Sequence, residues 1–400
     1  MKNEGMTLSG IRVLDLGQIY NGSYCGLLLG FLGAEIIKLE SPSGENLRKR
    51  TEGRKIDSYA FNLLNLNKRG ITLNLKDPKG KEILKELVKK ADVLIENFAN
   101  RVMDELGLGY EVLRQVNPRL IYASGKGFGS TGPYADFLAM DLTVQAMSGL
   151  ISATGFPDGP PTKCGAALAD FMGGMAMLSG ILAALYQREH TQRGQYVESS
   201  MHEAVLPTLT SQIEGYFRSG GKAPERTGNR HGGLSTCPYN VYEAKDGHVA
   251  IICVNNNHWQ SLCKIIERED MIKEEKYSTN LNRCANGDYI DGVVNDWSKT
   301  KTRSEIHKVL FDAHIPCAPV KKLAEVINDP HHLERGMWQD IEHPEKGTVR
   351  VFGNPIRLSE NKAVKPTHSP LLGQDNHAVY QELLGLGPEE IQILKEKKII

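Results

Sequence analysis

The fold is decided by residues 11–40, which read IRVLDL (11–16), GQIYNG (17–22), SYCGLLLGFL (23–32) and GAEIIKLE (33–40). It predicts a short apolar strand, a loop, a helix that Gly33 ends, and a second strand that ends at Glu40. A compact strand–helix–strand unit predicts a parallel sheet, because the crossover returns the chain in the same direction. We therefore expect an α/β protein.

This unit resembles a dinucleotide-binding fold, down to the acidic residue Glu40 that closes the second strand. Its glycines stand at 17, 22 and 26, however, and not in the G-x-G-x-x-G spacing that binds a pyrophosphate. The mismatch argues against a nicotinamide cofactor. Packing of the helix on the sheet accounts for these glycines as well.

Further strands are predicted at 71–75, 93–98, 120–124 and 194–201. Ligands bind beyond the carboxyl ends of strands in open α/β sheets, and Gln18, Asn97 and Lys126 fall at such ends. Lys126, between two glycines, suits an anionic ligand, although an ordinary loop lysine fits equally. Lys68 and Arg69 fit either a phosphate contact or a solvated turn.

The second part of the chain has a different pattern of predicted strands and helices. Residues 218–226 (RSGGKAPER) predict a linker. Residues 227–325 predict a small α+β domain, with a hairpin that turns at Asp246-Gly247 and helices up to about His314. Strands at 348–352 and 356–358 and two closing helices follow. Because 400 residues exceed one usual domain, we expect two.

Composition excludes several classes of protein. Lys plus Arg equals Asp plus Glu at 48 each, so the basic excess of a nucleic-acid binder is missing. The seven cysteines form no Cys-x-x-Cys pair, which argues against a zinc site or a disulfide framework and for a cytoplasmic protein.

Apolar runs such as 175–185 fall short of the roughly 20 residues that span a bilayer. Residues 1–5 carry no apolar signal core, and the adjacent His331 and His332 are interpreted as surface residues, not metal ligands.

The stretch KCGAALADFMGGM (163–175) holds one carboxylate, Asp170, among small or apolar residues. A helix is predicted from Met172 to Tyr186, with a buried face formed by Met175, Leu178, Leu182 and Leu185. Asp170 then fits two interpretations: the N-cap of this helix, or a nucleophile that small neighbours allow a thioester to approach. Asp141 is likewise predicted at a helix start, where capping alone explains it.

Ten short motifs occur in order along nearly the whole chain, and together they resemble the class III CoA-transferase family. That family includes formyl-CoA:oxalate and acetyl-CoA:oxalate CoA-transferases. The motifs are LSGIRVLD (8–15), LGAEIIKLE (32–40), NKR (67–69), ENF (96–98), NPR (117–119), QAMSG (145–149), GPP (159–161), GAALAD (165–170), RGQ (193–195) and PLLG (370–373).

The resemblance implies that Asp170 is the catalytic aspartate and that Asp141 has a supporting polar role. Asp170 would attack an acyl-CoA thioester to give a mixed anhydride, become a CoA thioester, and pass CoA to an acid. Coenzyme A is then a substrate, and no tightly bound cofactor or metal is expected. The residues expected to contact CoA or shield the intermediates are Gln18, Tyr20, Asn21, Leu73, Asn74, Lys76, Asn97, Phe98, Ala99, Arg101, Lys126, Gly232 and Gly233.

One position departs from the family pattern. The family has a cation after Glu-Asn-Phe that meets a CoA phosphate, and this chain has Glu105 there. Arg101, one helical turn earlier, is the candidate replacement.

The resemblance also implies an architecture and a substrate class. A large Rossmann-like α/β domain would comprise residues 1–217 and 326–400, with residues 227–325 as the inserted small domain and two chains interlocked as a homodimer. GFPDGPP (155–161) and GNRH (228–231) look closest to the oxalate branch. A small dicarboxylate such as oxalate is therefore the expected acceptor.

Two alternatives stand beside transfer. An α-methylacyl-CoA racemase of related sequence has a His before the acid at the Asp141 place, where it serves as a second base. Here that residue is Met140, which carries no proton to exchange, so transfer is favoured over racemisation. The second alternative is a non-catalytic CoA-binding dimer.

Overall fold

The computed structural model of the chain describes residues 5–50, 57–362 and 364–400. Residues 1–4, which belong to the segment 1–5 predicted to carry no signal core, lie outside the described residues. The strands are β1 (Arg12–Asp15), β2 (Glu35–Glu40), β3 (Arg69–Thr72), β4 (Val93–Glu96), β5 (Ile121–Lys126), β6 (Tyr196–Ser200), β7 (Tyr239–Ala244), β8 (Gly247–Ile252), β9 (Cys317–Pro319), β10 (Trp338–His343) and β11 (Gly347–Phe352).

Helices connect and cover these strands, and short 3-10 helices occur at Arg48–Arg50, Leu206–Leu209 and Glu275–Tyr277. The α-helices are α1 (Asn21–Phe31), α2 (Tyr59–Leu64), α3 (Pro78–Val88), α4 (Val102–Glu105), α5 (Tyr110–Val116), α6 (Asp141–Met147), α7 (Leu150–Ala153), α8 (Leu168–Thr191), α9 (Met201–Val205), α10 (Thr210–Arg218), α11 (Asn256–Ile265), α12 (Asp270–Lys273), α13 (Asn280–Ala285), α14 (Gly287–Ser298), α15 (Arg303–Asp312), α16 (Leu323–Ile327), α17 (Pro330–Glu334), α18 (Asn376–Leu384) and α19 (Pro388–Glu396).

Strands β1 to β6 form a parallel sheet in the order β3-β2-β1-β4-β5-β6. This is the strand order of the doubly wound dinucleotide-binding fold. The α/β fold predicted from residues 11–40 is confirmed. Successive residues of β1 face opposite sides of the sheet, so Val13 joins the core beneath α1 and α8, and Leu14 joins the core beneath α3, α18 and α19.

Helix α8 contains 24 residues and is longer than the predicted helix. Of its predicted buried face, Leu178 and Leu185 are buried, but Met175 is 39% exposed, and Met177 and Ile181 are buried as well. Among the helices of the described residues, α8 alone has the length and apolar composition that a membrane crossing would need. Half of its apolar stretch is buried here, against α1, β5 and β6, as in a core helix.

The outer edge of β3 is covered by the segment around the start of α18. The backbone N–H of Gly70 donates to Asp375 Oδ2 (2.7 Å) and its carbonyl accepts from the Asp375 N–H (2.9 Å). The N–H of Thr72 donates to Asn376 Oδ1 (2.8 Å), and its carbonyl accepts from Tyr380 Oη (2.7 Å). Both residues therefore have their outward backbone groups satisfied without another strand.

The chain forms two compact units. One comprises Met1–Val144, Ala166–Val205 and Ile327–Ile400, and the other Gln145–Gly165 and Leu206–Val326. In the second unit, β7, β8 and β9 form an antiparallel sheet. The predicted hairpin is confirmed, but its two turn residues are Lys245 and Asp246, because Ala244 pairs with Gly247.

These units differ from the predicted domains at residues 145–165 and 206–226, which pack together within the second unit. The Gly228 N–H donates to the Gly155 carbonyl (3.0 Å), and the Arg226 guanidinium donates to the Ser152 carbonyl (3.2 Å). Such bonds join segments that are distant in the chain. A domain boundary that depends on them cannot be predicted from a change in local composition. The domain boundaries at 217 and 326 stay a prediction.

The strand predicted at 356–358 is wrong, because these residues have no strand partner. The strand at 347–352 pairs instead with β10 in an antiparallel ladder from Trp338–Phe352 to His343–Gly347.

Candidate active site

Asp170 lies inside α8 and not before it. The helix begins at Leu168, and its N-cap residue, Ala167, makes no side-chain capping bond. The capping bond comes from another segment, since Asp141 Oδ1 accepts the Ala169 N–H at 2.9 Å. The prediction that Asp170 is the N-cap is therefore wrong. Asp141 is the first residue of α6, and this carboxylate bond goes to α8 and not to its own helix.

The carboxyl group of Asp170 is buried, with 9% of the residue exposed. Burial and the neighbouring Asp141 carboxylate raise its pKa from 3.8 to about 7. The Arg50 charge and a hydrogen bond from the Asn21 backbone N–H act in the opposite direction. Asp170 consequently titrates near neutral pH, as groups in active sites often do.

Gly173 and Gly174 bring α8 into contact with α1. A Cβ at Gly173 would overlap the Asn21 side-chain amide, and one at Gly174 would lie 2.8 Å from the Asn21 carbonyl oxygen. The space beside these glycines is therefore filled by α1 and is not left for a thioester. This close approach is what places the first N–H of α1 at the Asp170 carboxyl group.

The loop between β1 and α1 is held at the carboxyl edge of the sheet. The Gln18 N–H donates to Asn97 Oδ1 (2.7 Å), and Asn97 Nδ2 donates to the Gln18 carbonyl (2.9 Å). Ile19 adopts a left-handed backbone (φ 60°), and its N–H donates to Glu45 Oε2 (2.9 Å). The predicted residues Gln18 and Asn97 thus meet, as their positions at two strand ends indicated.

A cavity of about 450 Å³ opens onto Asp170. It brings together the predicted residues Gln18, Asn21, Asn97, Phe98, Ala99 and Lys126. Phe128 and Met201 also line this cavity, although neither was among the predicted site residues. Phe128 stands between two glycines in the loop after β5, and this spacing was the available signal.

A second cavity, of about 730 Å³, is lined by Leu73, Asn74 and Lys76. Gln18 and Phe98 line both cavities, so the two meet at these side chains. Apart from Tyr20 and Arg101, the predicted CoA residues of the first unit therefore fall on these two neighbouring cavities.

Glu105 lines the larger cavity, but Arg101 does not. Arg101 lines a separate cavity of about 320 Å³, where it forms an exposed ion pair with Asp136 (2.8 Å). This position does not suit Arg101 as the replacement for a cation at Glu105. Lys76 and Lys398 are cationic residues that line the larger cavity together with Glu105.

Two lysines considered for anion binding are paired inside the protein. Lys68 is buried, and its ammonium group lies 2.7 Å from Asp15, so neither a phosphate contact nor a solvated turn describes it. Lys126 lies 3.0 Å from Glu96 and also donates to the Phe98 carbonyl. Lys126 therefore lines the Asp170 cavity, but its positive charge is already paired with the Glu96 carboxylate.

The remaining predicted residues lie elsewhere. Tyr20 stacks on Phe171, with ring centroids 6.0 Å apart. Gly232 and Gly233 belong to the second unit and pack against α10, where a Cβ on Gly233 would lie 2.6 Å from the Ser211 carbonyl oxygen. Their role as a flap stays a prediction. Within the described ranges, no group of three or more His, Cys, Asp or Glu side chains is placed to hold a metal ion.

The chain belongs to CoA-transferase family III, whose model matches residues 8–376. The enzyme class indicated by the ten motifs, a CoA-transferase, is confirmed. A formyl-CoA:oxalate CoA-transferase of Streptomyces coelicolor is 38% identical over 98% of this chain and 99% of its own length. A succinyl-CoA:mesaconate CoA-transferase of Haloarcula hispanica is 34% identical over 96% and 98%. A CAIB/BAIF family protein from Brucella suis has a similar crystal structure, with a TM-score of 0.82, 33% identity and coverage of 95% of this chain and 100% of that one.

Proposed function

We propose that the enzyme transfers CoA from an acyl-CoA donor to a carboxylic acid, with Asp170 as the nucleophile. The observation that carries this proposal is the Asp170 carboxyl group itself: it is buried, it borders a cavity, and its pKa is about 7. A carboxylate that titrates near 7 is more basic than an ordinary one and still substantially ionised at neutral pH, which suits a nucleophile.

The proposed reaction runs through two covalent states of Asp170. A carboxylate oxygen attacks the donor thioester carbonyl, the carbon–sulfur bond breaks, and CoA thiolate leaves a mixed anhydride. The thiolate then attacks the aspartyl carbonyl, which releases the donor acid and forms an aspartyl-CoA thioester. The acceptor carboxylate attacks that thioester, its carbon–sulfur bond breaks, and the released CoA thiolate leaves behind a mixed anhydride of Asp170 and the acceptor. The thiolate then attacks the acceptor's acyl carbon, the bond from that carbon to the Asp170 oxygen breaks, and acceptor acyl-CoA leaves with Asp170 restored as a carboxylate.

The charges around Asp170 favour this covalent chemistry. Acylation removes the negative charge of Asp170, so it relieves both the cost of burial and the repulsion from Asp141, the two causes of the raised pKa. We assign Asp141 a positioning role, because its bond to Ala169 holds the first turn of α8 while its charge acts on Asp170.

The two cavities support a binding mode for CoA. A thioester that reaches Asp170 occupies the smaller cavity, and the rest of a long molecule passes Gln18 and Phe98 into the larger one. Lys76 and Lys398 on the larger cavity provide the cations for phosphate groups that Glu105 does not.

A small dicarboxylate is the proposed acceptor, in keeping with relatives that are named for oxalate and mesaconate. Racemisation has less support, because Met140 lines the Asp170 cavity where the racemase pattern has a proton-carrying His. Hydrogen exchange at the substrate α-carbon without CoA transfer would favour the racemase.

Mass spectrometry tests the nucleophile. Protein quenched during turnover with formyl-, acetyl- or succinyl-CoA should carry a CoA adduct on Asp170, and hydroxylamine should inactivate the enzyme only when a donor is present. Asp170→Ala should abolish transfer while CoA binding persists. An adduct on another residue, or full turnover by Asp170→Ala, would refute the assignment.

We also propose a cytoplasmic homodimer without a tightly bound cofactor. All seven cysteines are free thiols, which suits a reducing compartment. Large apolar side chains such as Phe137 and Leu138, at 52% and 85% exposure, suit a subunit interface.

A further inference from the structure

Arg50 is fixed to the residues around Asp170 by a stack of rings. It ends the short 3-10 helix Arg48–Arg50, its guanidinium group donates to Tyr20 Oη (3.0 Å), and it lies 5.4 Å from the centroid of that ring. Tyr20 in turn stacks on Phe171, which directly follows Asp170. The stack gives a long and otherwise mobile side chain a defined position near the nucleophile.

Arg48 and Arg50 differ in the carboxylates that they contact within the part of the chain that the structure describes. Arg48, two residues earlier, is buried and forms ion pairs with Glu40 (2.7 Å) and Asp57 (2.6 Å). Among the residues that the structure describes, Arg50 has no such carboxylate partner. Its field nevertheless reaches the active site, because it lowers the pKa of Asp170 against the effects of burial and Asp141.

The proposed reaction makes this cation available at one particular step. While Asp170 is ionised, its negative charge is attracted by the positive charge of Arg50. Once Asp170 is an aspartyl-CoA thioester it carries no charge, and the next molecule to enter is an anionic acceptor that must approach the Asp141 carboxylate. A guanidinium fork suits a carboxylate, since it donates two parallel hydrogen bonds.

A dicarboxylate brings one carboxylate that reacts and one that stays ionised throughout. The second carboxylate needs a partner, because removing an unpaired charge from water is costly. We infer that Arg50, together with the Tyr20 hydroxyl group, binds the non-reacting carboxylate of the acceptor and so selects dicarboxylates over monocarboxylates. This inference rests on the proposed function, in which Asp170 carries the CoA thioester.

The test compares Arg50→Gln with the wild type, using oxalate, succinate and mesaconate against acetate and propionate as acceptors. We expect the KM for the best dicarboxylate to rise roughly 10- to 100-fold, the range for losing a charged hydrogen-bond partner, while that for monocarboxylates changes less than about threefold. Arg50→Lys, which keeps the charge but loses the fork, should fall between the two. Lys49→Gln is the matched control, because it removes an exposed neighbouring charge and leaves the hydrogen bond from Arg50 to Tyr20 in place.

A separate measurement distinguishes this inference from the proposed function. Measured at pH 9, where Asp170 is ionised in both proteins, formation of the CoA adduct on Asp170 from donor alone should proceed in Arg50→Gln at nearly the wild-type rate. If adduct formation falls as much as turnover, or if dicarboxylate and monocarboxylate KM values change equally, Arg50 does not select the acceptor. The same follows if the wild type prefers monocarboxylates. If the wild type forms no adduct on Asp170 at all, the proposed function fails as well.

Discussion

Replacing Asp170 by Asn is expected to stabilise the protein, and to stabilise it more at pH 8 than at pH 5. The folded state raises the pKa of Asp170 from 3.8 to about 7, so it holds the proton more tightly than the unfolded chain does. The free energy of unfolding therefore falls as the pH rises from about 4 to about 7. Asn keeps the shape of the side chain, and its Oδ1 still accepts the Asn21 N–H.

The magnitude follows from the two pKa values, at about 1.4 kcal/mol for each factor of ten in proton affinity. The raised pKa lowers the free energy of unfolding of the wild type by about 4 kcal/mol at pH 8 and about 1.7 kcal/mol at pH 5, relative to a carboxyl group whose pKa is the same in the folded and unfolded states. Since the side chain of the Asp170→Asn variant carries no charge at either pH, its advantage over the wild type should grow by about 2.5 kcal/mol between them.

Urea unfolding of both proteins at pH 5, 6, 7 and 8 measures this advantage, with the mass checked for deamidation. Using the difference between the two proteins removes the contributions of all other titrating groups. Asp158→Asn, which replaces an exposed carboxylate, should show no comparable pH dependence. A difference between Asp170→Asn and wild type that stays constant or shrinks as the pH rises would refute a raised pKa at this position.

Three further predictions follow from contacts around the site. Gly173→Ala should destabilise the protein, because the new methyl group overlaps α1, whereas Gly292→Ala, in the open interior of α14, should stabilise it by about 0.5–1 kcal/mol; thermal melting compares the two. Asp141→Asn should keep its capping bond but lower the pKa of Asp170, so the pH profile of CoA-adduct formation should move to lower pH. Lys68→Met should cost about 3–5 kcal/mol in the free energy of unfolding, because it leaves a fully buried carboxylate unpaired; urea unfolding at neutral pH measures this loss.

The predicted sheet was largely correct because its evidence is local. Each strand is a short apolar run beside a turn, and Gln18 and Asn97 could be placed together since parallel strands end at one edge. The start of α8 was not predictable in this way. Its cap is Asp141, 28 residues before the N–H that it binds, and no local pattern around Asp170 records that bond.

The basic residues near the site show the same limit of prediction from local sequence patterns. Lys68 and Lys126 were recognisable as charges near strand ends, but their partners Asp15 and Glu96 lie 53 and 30 residues away. Spacing alone cannot tell a lysine that awaits a ligand from one that already has a carboxylate. Arg50 was overlooked for the converse reason, since its position depends on the ring stack with Tyr20 and not on a motif.

The cover over the outer edge of β3 has a practical consequence for anyone who shortens this protein. Removing the chain from Asp375 onward would leave the N–H and carbonyl groups of Gly70 and Thr72 facing water in a strand that could recruit a strand from a second molecule. Such a truncation should aggregate even though the nucleophile, its cavity and the other five strands are all encoded upstream.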